Sequence, residues 1–173
     1  MSLNPSTPGR VWALGADIDT DQLAPGAYMK LGLEGIAPHC LEAVRPDFAA
    51  QVRSGDVIAA GPNFGIGSSR EQAAGALVRL GVRAVIAPSF NGLYFRNAFN
   101  LGLLLLTCDQ AGQLRDGQAV SLDLAGDAPR VVCADSGEPL HCEPIPAFLL
   151  EMAAAGGLLN QLRQRYGKPP RPL

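Results

Sequence analysis

The stretch from residue 56 to residue 106 reads DVIAAGPNFGIGSSREQAAGALVRLGVRAVIAPSFNGLYFRNAFNLGLLLL. Three short apolar runs at 56–61, 83–88 and 103–106 have the near-continuous hydrophobicity of strands buried on both faces. Between the first two, helical spacing covers 69–80, with Glu71 in the first turn, alanines in the middle and Gly81 at the stop. Between the second and third, 89–102 reads as a helix with Ser89 at its cap and Gly102 at its end. The order strand, helix, strand, helix, strand predicts parallel strands joined by right-handed crossovers, with helices on the sheet faces.

Upstream, RVWALG at 10–15 leans to strand, and the acidic, turn-rich ADIDTDQLAPGAYMK at 16–30 reads as a loop. PHCLEAV at 38–44 and PDFAAQV at 46–52, each opened by a proline, read as two short helices. Downstream, AVSLDLAG at 119–126 and RVVCAD at 130–135 alternate polar and apolar residues around a turn, the pattern of an antiparallel hairpin. A last helix covers 146–165 and is weakened at Gly156 and Gly157. The whole is expected to be one α/β domain over 1–173, with 1–9 and 167–173 as flexible tails.

A chain of 173 residues buries about 70% of its unfolded surface and folds without metals or disulfides. Its net charge of −2 and lack of any Lys/Arg cluster provide no field for releasing counterions from nucleic acid, which is excluded as a partner. Cys40, Cys108, Cys133 and Cys142 form no C-x-x-C, and residues 1–8 lack the apolar core of a secretion signal, so a reducing cytoplasm is the expected location. The longest apolar run, LGLLLL at 101–106, is far short of the ~18 residues needed to cross a bilayer, and no membrane role is expected.

The glycine-rich loop at 61–73 fails the spelling of the dinucleotide fingerprint, the phosphate-binding P-loop and the nucleophile elbow. A strand that ends in a glycine turn at a helix mouth is still a place for an anion, because unpaired N–H groups and the positive end of the macrodipole meet there. Arg70 adds a planar fork matched to a carboxylate, and Ser68 and Ser69 add hydroxyls. The competing account is ordinary helix capping, a serine with Glu71 completing a capping box, which leaves Arg70 and the density of glycine unexplained.

GPNFGIGSSREQA at 61–73, GVRAVIAPSFNGLYFRNAFNLGL at 81–103 and DIDTDQLAPGAYM at 17–29 together resemble the swivelling domain of the aconitase superfamily, and in particular its free-standing small subunits from isopropylmalate dehydratase and homoaconitase. The likeness spans residues 10–107 in order and spacing. It implies a three-layer β/β/α fold with a parallel strand-helix core. It also implies that Ser68 is the base that removes a proton from the carbon beside a carboxylate, with Ser69 and Arg70 binding substrate. Asp21 would position Arg70 or substrate, Thr20 would bind substrate, and Tyr28 and Lys30 would bind it from the loop that selects its side group. Met29 suits an apolar isopropyl group, and Lys30 suits an extra carboxylate. Most relatives carry histidine where Gln72 stands, although glutamine occurs in homoaconitase-like members.

The resemblance further implies half an enzyme. The family's cluster-binding cysteines belong to a large subunit, so this chain would bind no cofactor itself, and a 4Fe–4S cluster would sit on its partner in a heterodimer or heterotetramer. The implied reaction is dehydration and rehydration of a 2-hydroxy-dicarboxylate, with isopropylmalate, homocitrate and 2,3-dimethylmalate as the alternatives. From another class, a non-catalytic carboxylate-binding or partner-docking module keeps the same fold.

Two His-Cys pairs, His39-Cys40 and His141-Cys142, supply the ligand count of a zinc site. Adjacent residues point to different sides of a helix or strand, so no metal is assigned to them. Arg96 is assigned to structure, and Tyr94, Phe95 and Phe99 to the core.

Overall fold

The computed structural model describes residues 7–126, 128–135 and 137–167. Most of the two expected tails, 1–6 and 168–173, lies outside these residues, whereas Gly9 begins the first strand and Gly167 caps the last helix in the left-handed conformation.

Seven strands form one sheet in the order β4-β3-β2-β1-β5-β6-β7. Its parallel half comprises β1 (Gly9–Ala13), β2 (Val57–Ala59), β3 (Ala84–Ala87) and β4 (Leu104–Thr107). Every residue of β2 and β3 is buried, as expected of strands covered on both faces. The antiparallel half comprises β5 (Ala119–Asp123), β6 (Arg130–Cys133) and β7 (Pro139–His141). Residues in β5 and β6 alternate between buried and more exposed positions, so one face of this half looks outward. β1 belongs to both halves, because Gly9 and Arg10 pair with β5 while Val11, Trp12 and Ala13 pair with β2.

The sheet curls until its outer strands meet. Glu143 N–H, just past β7, donates to the Thr107 carbonyl at the end of β4 at 2.8 Å. Cys108 and Cys142 sit at this seam. The neighbouring Cys142 thiol draws the Cys108 thiol below its usual value, while Cys142 is pushed up in turn.

Two crossover helices, α4 (Gln72–Arg79) and α5 (Gly92–Leu101), join the parallel strands as expected. Their starts differ from the sequence expectation. α5 is capped by Asn91, whose side chain accepts from Leu93 and Tyr94 N–H, while Ser89 Oγ instead accepts from Asn63 N–H at 2.9 Å. α4 begins at Gln72 after Glu71, which makes no side-chain cap, so the expected helical start at 69 and the capping box are both corrected.

The segment expected as a loop at 16–30 contains a helix, α1 (Thr20–Leu23), closed by a capping box between Asp19 and Gln22, and then a 3-10 turn over Gly26–Leu31. The pattern was masked because a one-turn helix shows no hydrophobic period. α2 (Gly32–Ile36) follows, and only a 3-10 turn over Ala37–His39 and irregular turns replace the first of the two expected short helices. The second is α3 (Phe48–Gln51). The expected last helix is two, α6 (Ala147–Ala154) and α7 (Leu158–Tyr166), separated at Gly156 and Gly157. No helix among the described residues is long and apolar enough to cross a membrane.

The core is aliphatic around the parallel strands and aromatic at its rim. Trp12 is fully buried and meets Phe48 edge to face with ring centroids 5.0 Å apart, and Arg10 and Arg45 lie over its ring at 4.2 and 4.9 Å. Buried Asp56 satisfies its carboxylate with Trp12 Nε1–H and the N–H groups of Arg10 and Arg53. These bonds make a buried charge tolerable and fix β1 against the entry to β2.

Candidate active site

Two loops at the C-terminal ends of the neighbouring strands β1 and β2 build the site, the end of an open parallel sheet where ligands bind. They are stitched together by Gly65 N–H donating to the Ile18 carbonyl at 2.7 Å and Thr20 N–H donating to the Ile66 carbonyl at 2.8 Å. Asn63 Nδ2 also donates to Asp17 Oδ1 at 2.9 Å. The glycines are there for contact rather than for flexibility. Gly65 has φ +79°, and a Cβ on it would stand 2.1 Å from the Tyr94 ring. Gly67 has φ +107°, and a Cβ there would stand 2.8 Å from Thr20 Oγ1. Both demand a residue without a side chain.

Ser68 follows, half-buried, and is held from three directions. Its N–H donates to Thr20 Oγ1 at 2.9 Å, its Oγ lies 3.2 Å from the same oxygen, and Arg70 Nε–H donates to Ser68 Oγ at 2.7 Å. Arg70 pairs through Nη2 with Asp21. Its Nη1 lies close to Gly26, which brings the 3-10 turn up against the guanidinium. Ser69 is exposed, and its carbonyl accepts from Asn97 Nδ2 on α5 at 2.9 Å.

The structure therefore brings Ser68, Arg70, Thr20 and Asp21 into one hydrogen-bonded group, with Ser69 beside it. The acidic DIDTD stretch divides its labour: Asp19 caps α1, and Asp21 reaches Arg70. Tyr28 and Lys30 are not among the bonded residues of this group. Tyr28 stacks flat on His39, with ring centroids 3.5 Å apart, and burial followed by the nearby Glu42 raises its phenol above the usual value. Lys30 is exposed at the end of the 3-10 turn. Because α4 starts at Gln72, the serines and Arg70 precede the helix rather than form its first turn, which transfers most of the positive potential at Ser68 Oγ from the macrodipole to Arg70.

Asn97 was not singled out by the sequence. The signal was present, because position 97 lies one turn after buried Tyr94 and beside buried Ala98, a polar residue at the edge of an apolar helix face. Arg96, next to it, is exposed and lines an apolar groove with Phe95, Phe99 and Phe148.

Among the described residues, no group of three or more His, Cys, Asp or Glu is arranged to hold a metal ion. The two His-Cys pairs lie apart in role: His39 packs on Tyr28, and the His141 carbonyl accepts from Cys108 Sγ at 3.5 Å.

Residues 45–111, which contain the glycine loop and both crossovers, match the family model described as the aconitase C-terminal domain. Over 158 residues the chain is 42% identical to the 3-isopropylmalate dehydratase small subunit 1 of Methanopyrus kandleri, covering 90% of this chain and 92% of that one. The chain belongs to the dehydratase small-subunit family of the aconitase superfamily. Another member, the methanogen homoaconitase small subunit of Methanothermobacter thermautotrophicus, is 44% identical over 153 residues, covering 88% of each chain. The fold agrees with that of a crystallised 3-isopropylmalate dehydratase chain from Methanocaldococcus jannaschii, with TM-score 0.83, 39% identity, and coverage of 91% of this chain and 93% of that one. In this family fold, the hydrogen-bonded group at Ser68 lies within the matched segment, and its partners Thr20 and Asp21 come from the loop upstream of it.

Proposed function

We propose that this chain is the small subunit of a 3-isopropylmalate dehydratase, which moves a hydroxyl between adjacent carbons of a 2-hydroxy-dicarboxylate by elimination and readdition of water. The observation that carries the proposal is the Arg70 guanidinium 2.7 Å from Ser68 Oγ, at a loop mouth at the end of a parallel sheet. A serine hydroxyl ionises far above neutral pH, so it becomes a useful base only where cations and donors stabilise its alkoxide. Arg70 Nε–H provides a charge-assisted donor at that oxygen.

Ser68 Oγ takes the proton from the carbon beside the substrate carboxylate and returns one during rehydration. Ser69 and Arg70 bind carboxylate, the latter through the Nη2 that now faces Asp21. Asp21 holds the guanidinium in place until substrate arrives. A 4Fe–4S cluster on the large subunit supplies the Lewis acid for departure of the hydroxyl. Tyr28, Met29 and Lys30 form the wall that meets the substrate's side group. The assembly works in the cytoplasm as a heterodimer or heterotetramer.

The second reading, homoaconitase, is favoured by the 44% identity to the methanogen small subunit and by the exposed charge of Lys30, which suits one more carboxylate. The pair reconstituted with its large subunit is assayed on isopropylmalate, homocitrate and dimethylmalate. Turnover of isopropylmalate above the others is the expected result, and turnover of homocitrate alone transfers the assignment to homoaconitase. Absence of turnover on all three, with an intact cluster, rejects the dehydratase.

A further inference from the structure

We infer that Thr20 is a positioning residue, whose buried hydroxyl holds Ser68 from both backbone and side chain and so sets its strength as a base. This goes beyond substrate contact at position 20 and rests on the reading of Ser68 as the base.

Thr20 is 1% exposed, so its hydroxyl is not placed to meet a substrate from solution. Its oxygen accepts from Ser68 N–H at 2.9 Å and lies 3.2 Å from Ser68 Oγ. Either hydroxyl can donate in that contact, but once Ser68 Oγ has lost its proton only Thr20 Oγ–H is left to donate. The ionised Ser68 Oγ then receives two donors, Thr20 Oγ–H and Arg70 Nε–H. Two donors converging on one oxygen form an arrangement that favours negative charge there.

The surroundings reinforce this. Gly67, between the stitched loops, leaves room for the hydroxyl only because it lacks a Cβ. Thr20 is fixed at the first position of α1 by its own N–H bond to the Ile66 carbonyl and by the capping box between Asp19 and Gln22. The charged groups near Ser68 Oγ are Arg70, which touches it, Asp21, which is paired to Arg70, and Asp19, whose carboxylate is held by Gln22 N–H. A change at position 20 removes a neutral donor and leaves these charges in place.

The test uses the reconstituted two-subunit enzyme with isopropylmalate, and amide exchange in the small subunit. Thr20→Val keeps the shape and removes the hydroxyl, whereas Thr20→Ser keeps the hydroxyl. Thr20→Val is expected to lower kcat about tenfold to a hundredfold with KM nearly unchanged, and to move the rising limb of the pH profile up by about one unit, because an alkoxide with one fewer donor forms at higher pH. Thr20→Ser is expected to restore most of kcat and the limb. The Ser68 amide of Thr20→Val exchanges about fivefold faster, as its acceptor is gone. Thr20→Val with the original pH limb and kcat, while Ser68→Ala is inactive, overturns the role of Thr20 and leaves Ser68 as the base. Equal loss in Thr20→Val and Thr20→Ser, with a fall in Tm in both, also overturns it, since shape alone then matters. Full turnover in Ser68→Ala overturns the assignment of the base, and this inference with it.

Discussion

Asn97 Nδ2 lies 2.9 Å from the carbonyl oxygen of Ser69, so a side chain from the second crossover helix holds the loop that precedes the first. The bond ties α5 to the backbone of the loop before α4 and carries no charge. Asn97→Ala is expected to lower kcat/KM about threefold to tenfold while changing stability by less than about 1 kcal/mol, since the lost bond is partly exposed. Steady-state kinetics beside urea denaturation separates the two effects, and unchanged kcat/KM contradicts the positional role.

Gly67→Ala places a methyl group 2.8 Å from Thr20 Oγ1 on a backbone at φ +107°. The expected cost is about 1–3 kcal/mol in stability, with turnover reduced at least tenfold because Ser68 is the next residue. Wild-type stability and activity in this variant mean that the two loops are not packed as described.

Arg70→Lys retains the charge and loses the fork. A lysine ammonium cannot hold Ser68 Oγ and a second partner in the fixed planar geometry of a guanidinium. A kcat lower by about a hundredfold, with little change in Tm, is the expected outcome. Turnover within twofold of the parent shows that charge alone is sufficient.

Arg45 holds the carboxyl of Asp116 below its usual value, first by hydrogen bonding, with Ala13 N–H assisting. A carboxyl lowered in the folded state stabilises the protein above its unfolded value of about 4, and that stability disappears as pH falls through the folded value. The side chain is 41% exposed, so solvent screening reduces the contribution to about 0.5 kcal/mol. Asp116→Asn is therefore expected to be slightly less stable at pH 7 and to approach the parent as pH falls below about 4. A constant difference across that range rejects the linkage.

Tyr94 Oη is buried with no hydrogen-bond partner among the described residues, and burial raises its phenol well above the usual value. The ring is wanted for its contact with Phe64, 5.4 Å between centroids. Tyr94→Phe keeps the ring and removes an unsatisfied hydroxyl, so stability is expected to stay level or rise by about 1 kcal/mol. A loss of more than 1 kcal/mol in urea denaturation reveals a partner for that oxygen.

The parallel half of the sheet was legible from residue types alone, because strands such as Val57–Ala59 and Ala84–Ala87 are buried on both faces and their hydrophobic runs are unbroken. β7 was not, since Pro139–His141 is three residues long and has only Leu140 buried. α1 escaped for a similar reason, although Asp19 and Gln22 spell its cap. At the site, Ser68 and Arg70 stand out by composition. Their geometry does not, because the bond from Thr20 to Ser68 spans a separation in sequence that no local pattern records. The start of α4 was misplaced for a physical reason: Ser68 Oγ is engaged with Thr20 and Arg70, and α4 begins at Gln72 with no side-chain cap.

The seam between Thr107 and Glu143 bears on how the chain survives before it meets another subunit. An open sheet has two rows of unpaired backbone groups, each a template on which a second molecule can add a strand. By bending its two outermost strands into contact at one end, this sheet denies an incoming chain part of that template, so that free small subunits in a crowded solution are less prone to stack edge to edge.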